Sequence, residues 1–212
     1  MSRCKRWIFL GLMTSGLLTG CARDKSAERG TGTPGSSSPT SSGSAESIQP
    51  ERSRDEHVTQ LDVNGDGKPD VWTYTVADAG ANGEERFRKV RQELDLNWDG
   101  RVDLTRYFDD VGALMREVMD LDYDGKVDAT YFYEKGANTR RERDFDGDGR
   151  TDSVTFYERG VLVRKERDTN SDGRVDYWEY WEAGQVDRIG EDLDGDGTVD
   201  KWTRNPNNAA RD

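Results

Sequence analysis

Short runs with aromatic and β-branched residues at alternate positions recur along the chain: VWTYTV at 71–76, LTRYF at 104–108, ATYFY at 129–133, SVTFY at 153–157 and YWEYW at 177–181. A period of two is the strand signature, and these residue types suit a pleated, half-buried surface. Turns follow, three of them ending in Gly136, Gly160 and Gly184, and more charged runs return: LMREVMD, NTRRERD, LVRKERD and VDRIGED. Run, turn and return predict a β-hairpin. Trp72 with Tyr74, Val154 with Phe156, and Trp178 with Tyr180 share a face, which is predicted to form a thin aromatic core with Leu114 and Leu162 of the return strands. The opposite face, including Arg140, Arg141 and Arg143, reads as a solvated surface of cross-strand ion pairs.

Between the hairpins lies one nine-residue pattern, D-x-[DN]-x-D-G-x-x-D, found six times, with starts separated by 33, 25, 24, 24 and 24 residues. The predicted fold is therefore mainly β: tandem hairpin repeats of about 24 residues joined by Asp-rich loops, in a meander or other repeat array. An open sheet, a barrel and a solenoid all remain compatible with this pattern. In a meander, successive loops would lie two strands apart along one end of the sheet, about 9 to 10 Å.

The loops carry the chemistry. Short carboxylates at alternate positions of a tight turn can converge on a hard cation that takes six to eight oxygens, which is the demand of Ca2+. Position 1 is Asp62, Asp95, Asp120, Asp144, Asp168 and Asp192, and position 3 is Asn64, Asn97, Asp122, Asp146, Asn170 and Asp194. Position 5 is Asp66, Asp99, Asp124, Asp148, Asp172 and Asp196, and position 9 is Asp70, Asp103, Asp128, Asp152, Asp176 and Asp200. Position 7, at Lys68, Arg101, Lys126, Arg150, Arg174 and Thr198, would offer only its backbone carbonyl. Gly fills position 6 in all six copies, where the chain must reverse through a positive φ. Zinc and iron prefer imidazole or thiolate, and the single His57 lies outside every loop. Magnesium stays compatible with the donor set, though it prefers to keep its waters rather than enter a dense protein cage.

Composition changes this picture at the ends. With 32% hydrophobic and 35% charged residues the chain would read as disordered without a metal, which is expected to supply part of the folding energy. Arg3, Lys5 and Arg6 precede an apolar stretch from Trp7 to Leu18, too short to span a bilayer as a helix and read as a secretion signal over 1–20. Residues 21–55, rich in Ser, Gly, Thr and Pro, read as a disordered tether with a reach of roughly 30 to 35 Å. The repeat domain is placed at 56–204 and a disordered tail at 205–212. A net charge of -12 excludes nucleic acid as the expected partner.

Leu18-Thr19-Gly20-Cys21 resembles the lipobox of bacterial lipoproteins. That resemblance implies lipidation of Cys21, attachment to a membrane through the lipid and, with Ala22 following, an outer-membrane address in the cell envelope. The loops resemble an EF-hand through nine positions, but at position 12, where the EF-hand carries an acid, stand Thr73, Arg106, Tyr131, Thr155 and Thr203; only Glu179 keeps one. DVNGDGKPDV is also similar to the strand-loop-strand calcium sites of FG-GAP repeats. These resemblances imply calcium binding and a surface location.

The function expected is a calcium-stabilised structural or adhesive module, with a protein or glycan partner at the cell surface; a calcium sensor or buffer is the alternative. An enzyme is not expected. From Asp62 onward the repeats contain no Cys or His, and although Glu158, Glu179 and Glu182 stand near aromatics, six equivalent sites do not make one catalytic constellation. Trp181 is a candidate contact for a glycan.

Overall fold

The structure, a computed structural model, describes residues 47–79 and 83–206. The secretion signal, Cys21, most of the tether and residues 207–212 lie outside the described residues. The twelve strands are β1 Glu56–Leu61, β2 Val71–Ala79, β3 Glu85–Leu94, β4 Leu104–Phe108, β5 Leu114–Met119, β6 Ala129–Glu134, β7 Ala137–Arg143, β8 Ser153–Glu158, β9 Val161–Arg167, β10 Tyr177–Glu182, β11 Gln185–Glu191 and β12 Lys201–Arg204. They form one antiparallel sheet in sequence order, a meander with β1 and β12 at its edges and no helix among the described residues. All six Asp-rich loops therefore emerge at one end of the sheet.

At the other end, Lys135–Gly136, Arg159–Gly160 and Ala183–Gly184 each place two consecutive residues at positive φ, the two-residue turn whose twist matches the flanking strands. The register slips by one residue in five hairpins, after Tyr74, Tyr107, Phe132, Phe156 and Tyr180. The return strand carries the extra residue each time. These bulges add local twist.

Just before each bulge an aromatic residue faces an arginine: Tyr74 and Arg91, Tyr107 and Arg116, Phe132 and Arg140, Phe156 and Arg164, Tyr180 and Arg188. The guanidinium lies over the ring at 3.9, 4.3, 4.0, 4.1 and 4.6 Å respectively. Neighbouring hairpins continue the register, so aromatic and arginine alternate across the sheet in one row. This corrects the expected division into an aromatic core face and a charged face. Arg140 belongs to the aromatic side, whereas Arg141 sits on the other side between the rings of Tyr131 and Tyr157.

The predicted core partners are corrected too. Leu114 and Leu162 pair with Phe108 and Tyr157, which follow Tyr107 and Phe156 by one residue and so point to the opposite face. Of the aromatic residues expected in the core, Tyr74 and Trp178 are buried, and Trp72 packs with Tyr107 and Val127 against an apolar cluster, among the described residues, of Ile48, Val102 and Val118.

Ile48 comes from the segment predicted as tether. Residues 47–55 lie on the sheet: Thr105 Oγ1 donates to the Ile48 carbonyl at 2.6 Å, and Gln49 Nε2 donates to Glu93 at 3.3 Å. Under this cover Glu93 is fully buried, accepting from the Tyr74 hydroxyl at 2.7 Å beside Arg91, which also meets Glu56. At the other terminus Asn205, placed in the tail by the sequence, bonds the carbonyls of Asp187 and Val186.

Candidate metal loops

Each loop is held by hydrogen bonds from its own backbone to its own carboxylates. In the first, Asp62 accepts from the N–H of Gly65 at 2.6 Å and of Gly67 at 2.8 Å, and Asp70 reaches back to accept from Val63 and Asn64 at 2.7 and 3.1 Å. Position 3 accepts from the N–H of position 5, and position 5 from that of position 7. This is why Asp and Asn recur at alternate positions: short side chains bond a backbone two residues on and wind it inward. Position 6 takes the expected positive φ, for example 88° at Gly67 and 94° at Gly125. Position 4 is left-handed as well, as Gly65, Gly147 and Gly195 and, less expectedly, as Trp98, Tyr123 and Ser171.

Carboxylates at positions 1, 3 and 9 converge. In the third, fourth and sixth loops the triads Asp120, Asp122 and Asp128; Asp144, Asp146 and Asp152; and Asp192, Asp194 and Asp200 bring one oxygen each within 4.8 Å of the others. Oxygens held at roughly 2.3 to 2.6 Å from one ion cannot be more than about 5 Å apart, so this spread is that of a coordination shell. The residues present therefore fit a divalent cation. In the remaining loops position 3 is Asn, whose amide oxygen in Asn64, Asn97 and Asn170 faces the position 5 N–H.

Position 5 is turned elsewhere in part of the array. Asp99 meets Arg101 at 2.8 Å, and that hydrogen bond holds its carboxyl below the usual range. Asp124 and Asp148 face Lys126 and Arg150 at 3.8 and 3.9 Å. Asp152 moves the other way: burial pushes its carboxyl up, and the neighbouring charges of Asp146 and Asp144 add to the rise. At Asp192 desolvation is outweighed by N–H groups of Gly197, Gly195, Asp194 and Asp196, and the carboxyl is lowered.

The loops are also tied to each other, which the sequence reading missed. The position 1 N–H of one loop donates to the position 9 carbonyl of the loop before it, as from Asp95 to Asp70 and from Asp120 to Asp103, both at 2.8 Å. The same bond recurs from Asp144 to Asp128, Asp168 to Asp152 and Asp192 to Asp176. Position 7 side chains reach forward: Arg101 to the Tyr123 carbonyl at 3.2 Å, Lys126 to that of Gly147 at 2.8 Å and Arg174 to that of Gly195 at 3.1 Å. The available signal was a cation at position 7 in five of the six loops.

Of the candidate residues outside the loops, Glu179 is buried and meets Lys165 and Arg167 at 3.9 and 3.5 Å. Trp181 donates its indole N–H to Glu179 at 3.0 Å.

No protein-family model and no curated protein matches the chain. Solved structures do. Accessory secretory protein 1, 2 and 3 of Streptococcus pneumoniae matches at 16% identity and TM-score 0.32, over 62% of this chain and 20% of that one. The GtfA/B complex bound to UDP and GlcNAc matches at 18% identity and TM-score 0.38, over 52% and 24%. A mutant of S. aureus TarM in complex with Fondaparinux, alpha-GlcNAc-glycerol and UDP matches at 13% identity and TM-score 0.33, over 53% and 20%. The chain thus spans about a fifth to a quarter of the length of these structures. The expectation that the chain is not an enzyme is withdrawn against these matches, two of them to structures holding UDP. At these TM-scores no activity or substrate is carried over.

Proposed function

We propose that the chain is a calcium-binding module whose sheet is stabilised by Ca2+ in its loops, held at the bacterial cell envelope, on the outer membrane, by a lipid on Cys21, and acting there as a structural or adhesive surface. The observation that supports this best is the convergence of positions 1, 3 and 9 into oxygen triads of ionic dimensions. An all-oxygen donor set without imidazole or thiolate favours calcium over zinc or iron. Position 5 and the position 7 carbonyl would complete the shell, with Asp99, Asp124 and Asp148 turning away from their cations to do so.

Far-UV circular dichroism and thermal melting in EDTA and then in excess calcium test the reading. A large gain of β signal and a cooperative melt at higher temperature with calcium are expected; identical spectra and melts would sink it.

A further inference from the structure

Repetition breaks on the face opposite the aromatic–arginine row. Next to the loops, the cross-strand row on that face is apolar over Leu94, Leu104, Met119 and Ala129, then becomes Arg143, Ser153 and Arg167, and runs on through Tyr177 to the pair Glu191 and Lys201. One step farther from the loops Thr155 pairs with Lys165. Arg143, Ser153, Thr155, Lys165 and Arg167, together with Phe145, line a cleft of about 520 Å³ between the fourth and fifth loops, a volume within the range of small-molecule sites. Two arginines flanking a serine occur once in this row, and a singular cluster in a repeat array is where a specific site is to be sought.

The cations are positioned by neighbours that leave donors to spare. Arg143 bonds the Tyr131 hydroxyl at 2.8 Å, and Lys165 and Arg167 share Glu179. A guanidinium has five N–H groups and an ammonium three, so each retains donors for a ligand. Arginines that flank one serine from adjacent strands suit a planar or tetrahedral oxyanion. Asp152 and Asp168 also border the cleft and oppose an anion. They are position 9 and position 1 of adjacent loops, where a bound cation would offset their charge.

We propose that this cleft binds a small organic oxyanion, a phosphorylated or carboxylated molecule of sugar size. The oxyanion sits between Arg143 and Arg167 with the Ser153 hydroxyl donating, Lys165 adds charge, and the body of the ligand lies against Phe145. Only the strengthening by calcium rests on the metal reading.

Calorimetric titration of the full chain in excess calcium with glucose 6-phosphate, glucuronate and inorganic phosphate tests this. Saturable binding of at least one organic anion is expected, and whichever binds tighter identifies the head group. Arg143→Gln and Arg167→Gln should each weaken it about tenfold or more. Phe145→Ala should reduce the organic anion to the level of inorganic phosphate, while Lys201→Gln leaves binding unchanged. Ser153→Ala, with circular dichroism of every variant, guards against an arginine variant that does not fold. No saturable binding of any probe, or binding that survives both arginine substitutions, would overturn the site. A calcium titration of the same samples separates the two readings: calcium uptake without anion binding removes the cleft alone, and anion binding without calcium uptake removes the metal alone.

Discussion

Single residues in this molecule fail for different reasons according to where they sit. Gly67 has a φ of 88° with nothing within 4 Å of where a Cβ would be, so Gly67→Ala meets no clash and costs only the left-handed backbone, roughly 1–2 kcal/mol. Gly190 is the reverse case: a Cβ there would stand 3.0 Å from Val199 and 3.1 Å from Trp202. Chemical denaturation should show both alanine variants destabilised. Only Gly67→Ala should also blunt the response of its loop to calcium; equal metal responses would contradict this division. At Glu166, burial raises the carboxyl above its ordinary range and Arg164, 3.2 Å away, pulls it back. Arg164→Ala leaves that charge buried without its partner and takes the guanidinium off Phe156, a loss of about 2–4 kcal/mol at neutral pH. A carboxyl raised in the folded state contributes stability that is present below its unfolded pKa and lost as pH rises through the folded one. The deficit of Arg164→Ala should therefore shrink as pH falls towards 4.5, and shrink likewise in the double variant with Glu166→Gln. A deficit independent of pH would refute the account.

At the scale of elements, the outgoing strands were legible because their period of two is bounded on one side by an Asp-Gly loop and on the other by a turn. The run at 104–108 is β4 with both bounds intact, and those at 129, 153 and 177 fall one residue short of β6, β8 and β10. The candidate triads were legible for a similar reason, since their spacing is local. What composition hid is tertiary. Residues 47–55 read as tether because Ser, Gly and Pro dominate the stretch before them, yet the Ile48 side chain, with the bonds of its carbonyl to Thr105 and of Gln49 to Glu93, seats the segment on the sheet. The charged strand β3 gave no alternation to find. An arginine's reach over a cross-strand ring depends on register, and register depends on a bulge that no single residue announces. The cleft between the fourth and fifth loops was invisible for the same reason: Arg143, Ser153 and Arg167 become neighbours only once three strands are aligned.

For the molecule as a whole, the bonds between loops matter more than any one loop. A change of shape at one site alters the carbonyl of Gly147 or Gly195 that its neighbour's cation holds. Calcium uptake is therefore expected to be cooperative, and Lys126→Met together with Arg174→Met should flatten the titration without removing a ligand. Six independent, identical sites on an already folded metal-free chain would refute this coupling. The meander has a mechanical counterpart. Each strand is paired only with the strands before and after it, so tension applied between Ser47 and Asn205 has first to lift residues 47–55 off β3 to β5 and then peels the array from an end. Each unit of 24 residues that lets go adds roughly 80 Å of contour length. A force–extension trace should then be a sawtooth of evenly spaced, low peaks, raised by calcium. A chain built this way yields under load in instalments, and it can recover the same way when the load is removed.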